Sequence, residues 1–205
     1  MTTQINAIPL DAPGVRLEPL AEIHREGLRR AAQAPAIWTH MPTPALGERF
    51  EAWFDGTLRV CETPQETAWA VRTLDDNALV GSTRYLNIEA AHKRVEIGHT
   101  WYNPAVWAGQ VNPACKFALL QYGFEALGLN RIELKTDIAN TRSQAAIARL
   151  GAVREGVFRD HMIRPDGSLR DTVYFSIVRE EWPGVRDGLL ARLAAFQPAA
   201  HKETV

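Results

Sequence analysis

Residues 112–127, "NPACKFALLQYGFEAL", constrain this chain more than any other stretch. They read as a helix that is apolar nearly all round, as a helix packed on a sheet must be. The segments on either side alternate with period two: "RVEIGHTWY" (94–102) before and "RIELKTDIA" (131–139) after. Strand, buried helix and strand in so short a span make a parallel crossover unit. Such a unit brings the helix N-terminus and the strand ends together, where open α/β sheets usually bind ligands. The alternation puts Val95, Ile97, His99 and Trp101 on one face, with Glu96, Gly98, Thr100 and Tyr102 opposite. In the second strand Ile132 and Leu134 oppose Glu133, Lys135 and Asp137.

The remaining segments extend this unit. "GVRLEPL" (14–20) suits a strand, and "AEIHREGLRRAAQ" (21–33) spaces Ile23, Leu28, Ala31 and Ala32 helically. The proline-rich 34–44 is a loop; 45–62 lines up Leu46, Phe50, Trp53, Phe54, Leu58 and Cys61 on one helical face. Residues 67–74 and 79–89 form a hairpin around "DDNA". Residues 140–151 are a short helix with Asn140 or Thr141 as its cap and Gly151 at its stop. A hairpin of 153–163 and 169–178 turns at "PDG", and Pro183 opens a last helix with Val185, Leu189, Leu190, Leu193 and Phe196 as its stripe.

A chain of 205 residues suits one domain, placed at 14–197 between a flexible arm, 1–13, and a disordered tail, 198–205. The net charge of -1 argues against nucleic acid, which needs many cations to neutralise phosphates. No apolar run approaches the ~20 residues of a membrane span. Cys61 and Cys115 lie among apolar residues and read as reduced thiols, and no secretory signal opens the chain. These features point to the cytoplasm. Six histidines without metal-ligand spacing argue against a metal.

The head of the buried helix carries the chemistry. About four N–H groups there lack partners, beside roughly half a positive charge, and a phosphate satisfies both. Gly109, between Ala108 and Gln110, gives the loop little bulk, although no P-loop or G-x-G-x-x-G pattern is present. An ordinary strand-to-helix turn is the plainer alternative.

The pieces "VRLEPL", "VEIGHTWYNPAVWAGQVNPACK", "YGFEALGLNRIELKTDIANTRSQAAIARLGA" and "EGVFRDHMIRPDGSLRDTVYFSIVREEW" together resemble the GNAT acyltransferases, in their RimJ/RimL-like branch. The likeness runs from about Val15 to Trp182. It implies an α/β (α+β) fold: a twisted, mostly antiparallel sheet, helices on both faces, and a splayed parallel pair formed by 94–102 and 131–139. It also implies acetyl-CoA as cosubstrate, with the backbone from Trp107 through Ala108, Gly109, Gln110 and Val111 to Asn112 on the pyrophosphate. Trp101 and Tyr102 would pair with the pantetheine arm, Asn140 and Ser143 would lie beside it, and Arg142 would reach a phosphate. The loop departs from the family pattern at Trp107, Gln110 and Asn112. Ile147 stands where many relatives carry a tyrosine that protonates the departing thiolate, leaving Tyr122 and Tyr174 as substitutes.

The implied reaction is acetyl transfer to a primary amine, a protein α-amine or a small molecule, by direct attack in a ternary complex. Glu96 is the first candidate base, against pairing with Arg84 or Arg94, and His99 the second, against a buried structural role. Trp38, His161 and Asp171 are candidates for the acceptor, with Asp171 pairing to Arg159 or Arg170 as its alternative. Two other readings stay open: a CoA-binding protein without transfer activity, and an acetyltransferase for an amino acid or antibiotic amine. The last hairpin edge and the C-terminal helix are surfaces on which two copies could pair.

Overall fold

A computed structural model describes residues 5–196; the expected tail from Pro198 lies outside them. Eight strands form one sheet in the order β1-β2-β3-β4-β5-β6-β8-β7. They are β1 (Leu10–Ala12), β2 (Val15–Pro19), β3 (Thr67–Thr73), β4 (Leu79–Glu89), β5 (Arg94–Tyr102), β6 (Arg131–Asp137), β7 (Val153–Ile163) and β8 (Leu169–Val178). All neighbours are antiparallel except β5 and β6. The helices are α1 (Arg25–Ala31), α2 (Arg49–Cys61), α3 (Val111–Gln121), α4 (Thr141–Ala148) and α5 (Trp182–Ala194).

Period-two alternation builds a core on each face. On β3, Trp69 and Val71 enter the core under α3 and α5, while Ala70 enters the one under α1 and α2. Gly123 lets the chain after α3 close on the sheet, since a Cβ there would lie 2.6 Å from Ile132 Cδ1. In that stretch Tyr122–Ala126 widen into a π-helical turn, where the Tyr85 hydroxyl donates to the Leu119 carbonyl.

Residues 5–12 correct the expectation of a flexible arm. Leu10–Ala12 pair with Val15–Leu17, Ile5 is buried, and Trp69 Nε1 donates to Ile8 O at 2.8 Å. Three residues are too few to show an alternation, so the strand is invisible as a pattern. Two apolar stripes are also narrower than their spacing predicts. Ile23 is 86% exposed because residues 22–24 form a 3-10 turn before α1, and Leu190 and Phe196 stay on the outer side of the last helical segment.

The relation of β5 to its neighbours shapes the candidate site. β5 pairs with β6 only through Arg94–Arg131, Val95–Ile132 and Glu96–Glu133. Beyond those three pairs the strands part. On its other side, Ser82 faces Trp101 and Arg84 faces Gly98, so one β4 residue opposes His99 and Thr100. This β-bulge holds His99 at φ 46° and reverses the alternation. Tyr102 therefore joins Val95 and Ile97 in the core under α3, while Trp101 crosses to the core under α2. Trp101 was expected with Ile97; the extra residue at the bulge puts them on opposite faces.

Candidate active site

The turn from β5 to α3 presents a row of backbone donors. Asn103 Oδ1 accepts from Ala105 N, and Trp107 N donates to Pro104 O at 3.0 Å, so the expected donor at Trp107 is already used. Ala108 takes a left-handed φ of 60°, uncommon for a residue with a Cβ. The N–H groups of Ala108, Gly109, Gln110, Val111 and Asn112 donate to no acceptor among the described residues. Val111 buries its side chain in the core, which fixes the helix head, and Asn112 is half-buried.

Of the two unusual side chains of the loop, Gln110 turns away from that row and Trp107 lies across the gap beside it. The Gln110 amide lies on Gly14, where an added Cβ would meet Nε2 at 2.3 Å. The Trp107 indole donates from Nε1 to Tyr102 O at 2.9 Å, and the Arg142 guanidinium stacks on its ring. Across the parted strands, Asn140 Oδ1 caps α4 by accepting from Ser143 N at 3.0 Å. The structure thus brings Tyr102, the 107–112 turn, Asn140, Arg142 and Ser143 around the gap between β5 and β6.

On the α2 side of β5, Glu96 is 2% exposed and accepts from Asn87 Nδ2 and Lys135 Nζ, each at 2.9 Å. Neither expected arginine holds it: Arg84 pairs with Glu66, and Arg94 with Glu133. Burial raises the Glu96 carboxyl above its ordinary range, against the pull of Lys135. His99, half-buried at the bulge, is held down to about 4, by burial first and then by Arg84, Lys135 and Arg170. Its imidazole is neutral at pH 7, with Nδ1 buried and unpartnered among the described residues.

Trp38, expected at the acceptor, is 5% exposed: its ring lies 5.3 Å from Trp101 and 6.4 Å from Trp53, and its Nε1 donates to Ala32 O. The loop carrying it folds inward because the bulge delivers Trp101 to that face. His161 and Asp171 share an open hollow of about 690 Å³ with Phe158, Arg159 and Asp160. Asp171 Oδ1 accepts from Asp160 N at 2.8 Å, so the carboxylate braces an irregular stretch of β7 instead of pairing with Arg159 or Arg170. Tyr174 packs on Phe158 at 4.3 Å and on His161 at 5.7 Å, with Lys135 Nζ 5.8 Å from its ring. Tyr122 is committed elsewhere, donating to Asn6 O at 2.9 Å, and Ile147 is buried in the core.

One residue escaped the sequence reading. Lys116, within the apolar α3, is 6% exposed and donates to Thr100 Oγ1 at 2.9 Å. A lone lysine in an otherwise apolar helix was the available signal. Among the described residues no cluster of three or more His, Cys, Asp and Glu could hold a metal ion, and no helix is long and apolar enough to cross a membrane.

A mixed sheet with one parted parallel pair, and unpaired amides at the head of the intervening helix, define a GNAT-type α/β fold. Residues 15–153 match the family described as the acetyltransferase (GNAT) domain, and the chain belongs to that family. The "Putative ribosomal N-acetyltransferase YdaF" of Bacillus subtilis is 32% identical over 111 residues, 54% of this chain and 60% of that protein. The curated relatives are matched over about three fifths of their own length. A GCN5-related N-acetyltransferase from Brucella melitensis superposes with a TM-score of 0.88 at 27% identity, covering 99% of this chain and 94% of that one. Mycobacterium smegmatis RimJ, in complex with CoA-disulfide, shares the fold with a TM-score of 0.75 at 23% identity, covering 90% and 93%. The family is the one the sequence motifs resemble.

Proposed function

We propose that this protein transfers an acetyl group from acetyl-CoA to a primary amine by direct attack. The row of unpaired N–H groups from Ala108 to Asn112 carries this reading. A pyrophosphate there would satisfy donors that otherwise need water, beside the positive end of α3. The pantetheine arm would then continue into the gap, bonding the stretch of β5 that β6 leaves unpaired. Arg142 is within the same rim for a phosphate, and Asn140 and Ser143 flank the arm.

The amine must arrive without its extra proton. Glu96, raised by burial and facing the α2 side of β5, accepts that proton directly or through one water. The alternative base, His99, is neutral and adjacent, with Nδ1 free among the described residues. The reaction also requires an N–H donor to steady the developing oxyanion. The hollow beside His161 and Asp171 is the entrance for the acceptor, its carboxylates suited to an ammonium.

A protein α-amino group is the acceptor we favour, because the likeness to a ribosomal N-acetyltransferase agrees with an open rather than enclosed acceptor side. A thiol-release assay with acetyl-CoA against amino-terminal peptides, polyamines, amino acids and aminoglycosides tests this. Turnover on peptides that is abolished by blocking their α-amine is the expected result. Turnover confined to a small amine would reject the favoured acceptor, and no shift in melting with CoA would reject cofactor binding itself.

A further inference from the structure

The geometry points to Lys116 as the acid that meets the departing CoA thiolate, in place of the tyrosine the family often supplies from α4. This inference rests on acetyl-CoA occupying the gap between β5 and β6.

Three observations place Lys116 there. First, it belongs to the helix whose head forms the anion seat, five residues after Val111, or about 7.5 Å along the axis. Second, its single hydrogen bond among the described residues goes to Thr100 Oγ1, which also lies 2.7 Å from Thr83 Oγ1. Thr100 is on the parted length of β5, four residues past its last pairing with β6. An arm that leaves the anion seat and follows β5 backward from Tyr102 reaches Thr100 after two residues, about 7 Å. Third, an ammonium offers three donors, and among the described residues only one is used. No carboxylate lies within ion-pair distance of it among the described residues.

A buried cation with neither counter-ion nor full hydrogen bonding is costly, and a thiolate in the gap would supply both. The groups around it leave its charge uncontested. Thr100 and Thr83 face it from the sheet and do not titrate. Cys115, beside it on α3, is pushed up to about 12 by burial, and Tyr102 is raised by burial, so both are neutral at pH 7. Burial brings Lys116 itself down to about 8, close to the ~8.5 of a free thiol, where proton transfer between them is nearly balanced.

The bulge divides the labour. Glu96 lies on the α2 side of β5, and Thr100 with Lys116 lies on the α3 side. The amine nitrogen bonds to the carbonyl carbon and its proton leaves toward Glu96. The carbon–sulfur bond then breaks, and the sulfur keeps the electron pair. The thiolate takes a proton from the Lys116 ammonium; Glu96 then gives its proton to water and the neutral lysine takes one back from water, which resets both groups. The net change is one proton moved from amine to sulfur.

The thiol of bound CoA reports this directly. Its titration, followed by thiolate ultraviolet absorbance in the wild-type protein, should be shifted at least one unit below ~8.5, about tenfold more thiolate at a given pH. Lys116→Met should return it to the free value or above and lower turnover by about 10–100-fold, with CoA affinity kept within a few-fold. A wild-type bound thiol that titrates at or above the free value overturns the assignment, whether or not the variant folds. So does a lowered value that Lys116→Met leaves unchanged. Absence of CoA binding to the wild type is a separate outcome, which rejects the cofactor reading and the lysine's role with it.

Discussion

The Arg142 guanidinium lies 3.7 Å from the centroid of the Trp107 ring. This stack joins the first turn of α4 to the turn before α3, across the gap where β5 and β6 part. A cation held on an indole is worth about 1 kcal/mol at a partly exposed site. It also sets a positive charge beside the unpaired amides.

Arg142→Ala should weaken CoA by about 5–30-fold, the loss expected for one charged contact of 1–2 kcal/mol. Affinity for pantetheine, which lacks phosphates, should stay unchanged. Calorimetric titration of both ligands checks this. Equal losses for the two would mean that Arg142 shapes the arm's channel and leaves the phosphates alone.

Glu96→Gln should lower turnover by about 10²–10⁴-fold with little effect on CoA affinity. A base works only when deprotonated. Because burial raises Glu96, the acid limb of the wild-type rate profile should fall at a pH above the ordinary carboxylate value of 4.5. In the variant that limb should vanish from whatever activity remains. Persistence of the same limb would assign it to another group.

The route of the chain was legible where pattern and spacing are local. The alternation of 94–102 and 131–137 and the apolar 112–121 define the crossover, and Asn140 has the side chain of a cap and caps α4. What was hidden needed a partner strand to be seen. An extra residue at His99 leaves no trace in a period-two reading, yet it moves Trp101, buries Trp38 and turns Thr100 toward Lys116. Gln110 departs from the family's loop pattern, and Gly14, nearly a hundred residues earlier, gives its side chain a place on the β1–β2 turn. Lys116 was lost inside an apolar run, where its isolation among apolar residues was the one local mark of burial.

Arg164 grips Asp137 at the end of β6 from the β7–β8 turn, with Nε to Oδ2 at 2.7 Å and Nη2 to Oδ1 at 2.9 Å. Hydrogen bonding to Arg164 lowers the Asp137 carboxyl below 3.8. A depressed carboxylate stabilises the fold above its unfolded value, and that contribution is lost as pH falls through the folded one. Arg164→Ala should lower stability at pH 7 and do so much less near pH 3. Denaturant melts at the two pH values check the difference; a cost independent of pH would assign it to the turn's other contacts.

Lys116→Met should stabilise the protein. Lowering a lysine from 10.5 to about 8 by burial corresponds to about 3 kcal/mol of cost at pH 7, offset by about 1 kcal/mol for the Thr100 bond. The folded state releases its proton near 8 and the unfolded chain near 10.5, so the wild type recovers this cost as pH rises between them. The variant's advantage of about 2 kcal/mol should therefore shrink above pH 8. A destabilised variant at pH 7 would mean that the ammonium holds the α3–β5 contact together.

The anion seat is tested most directly by following backbone ¹H–¹⁵N resonances as CoA is added. The amides of Ala108, Gly109, Gln110, Val111 and Asn112 should show the largest shifts, and should not shift with pantetheine alone. CoA binding that leaves those five amides unmoved would contradict the seat.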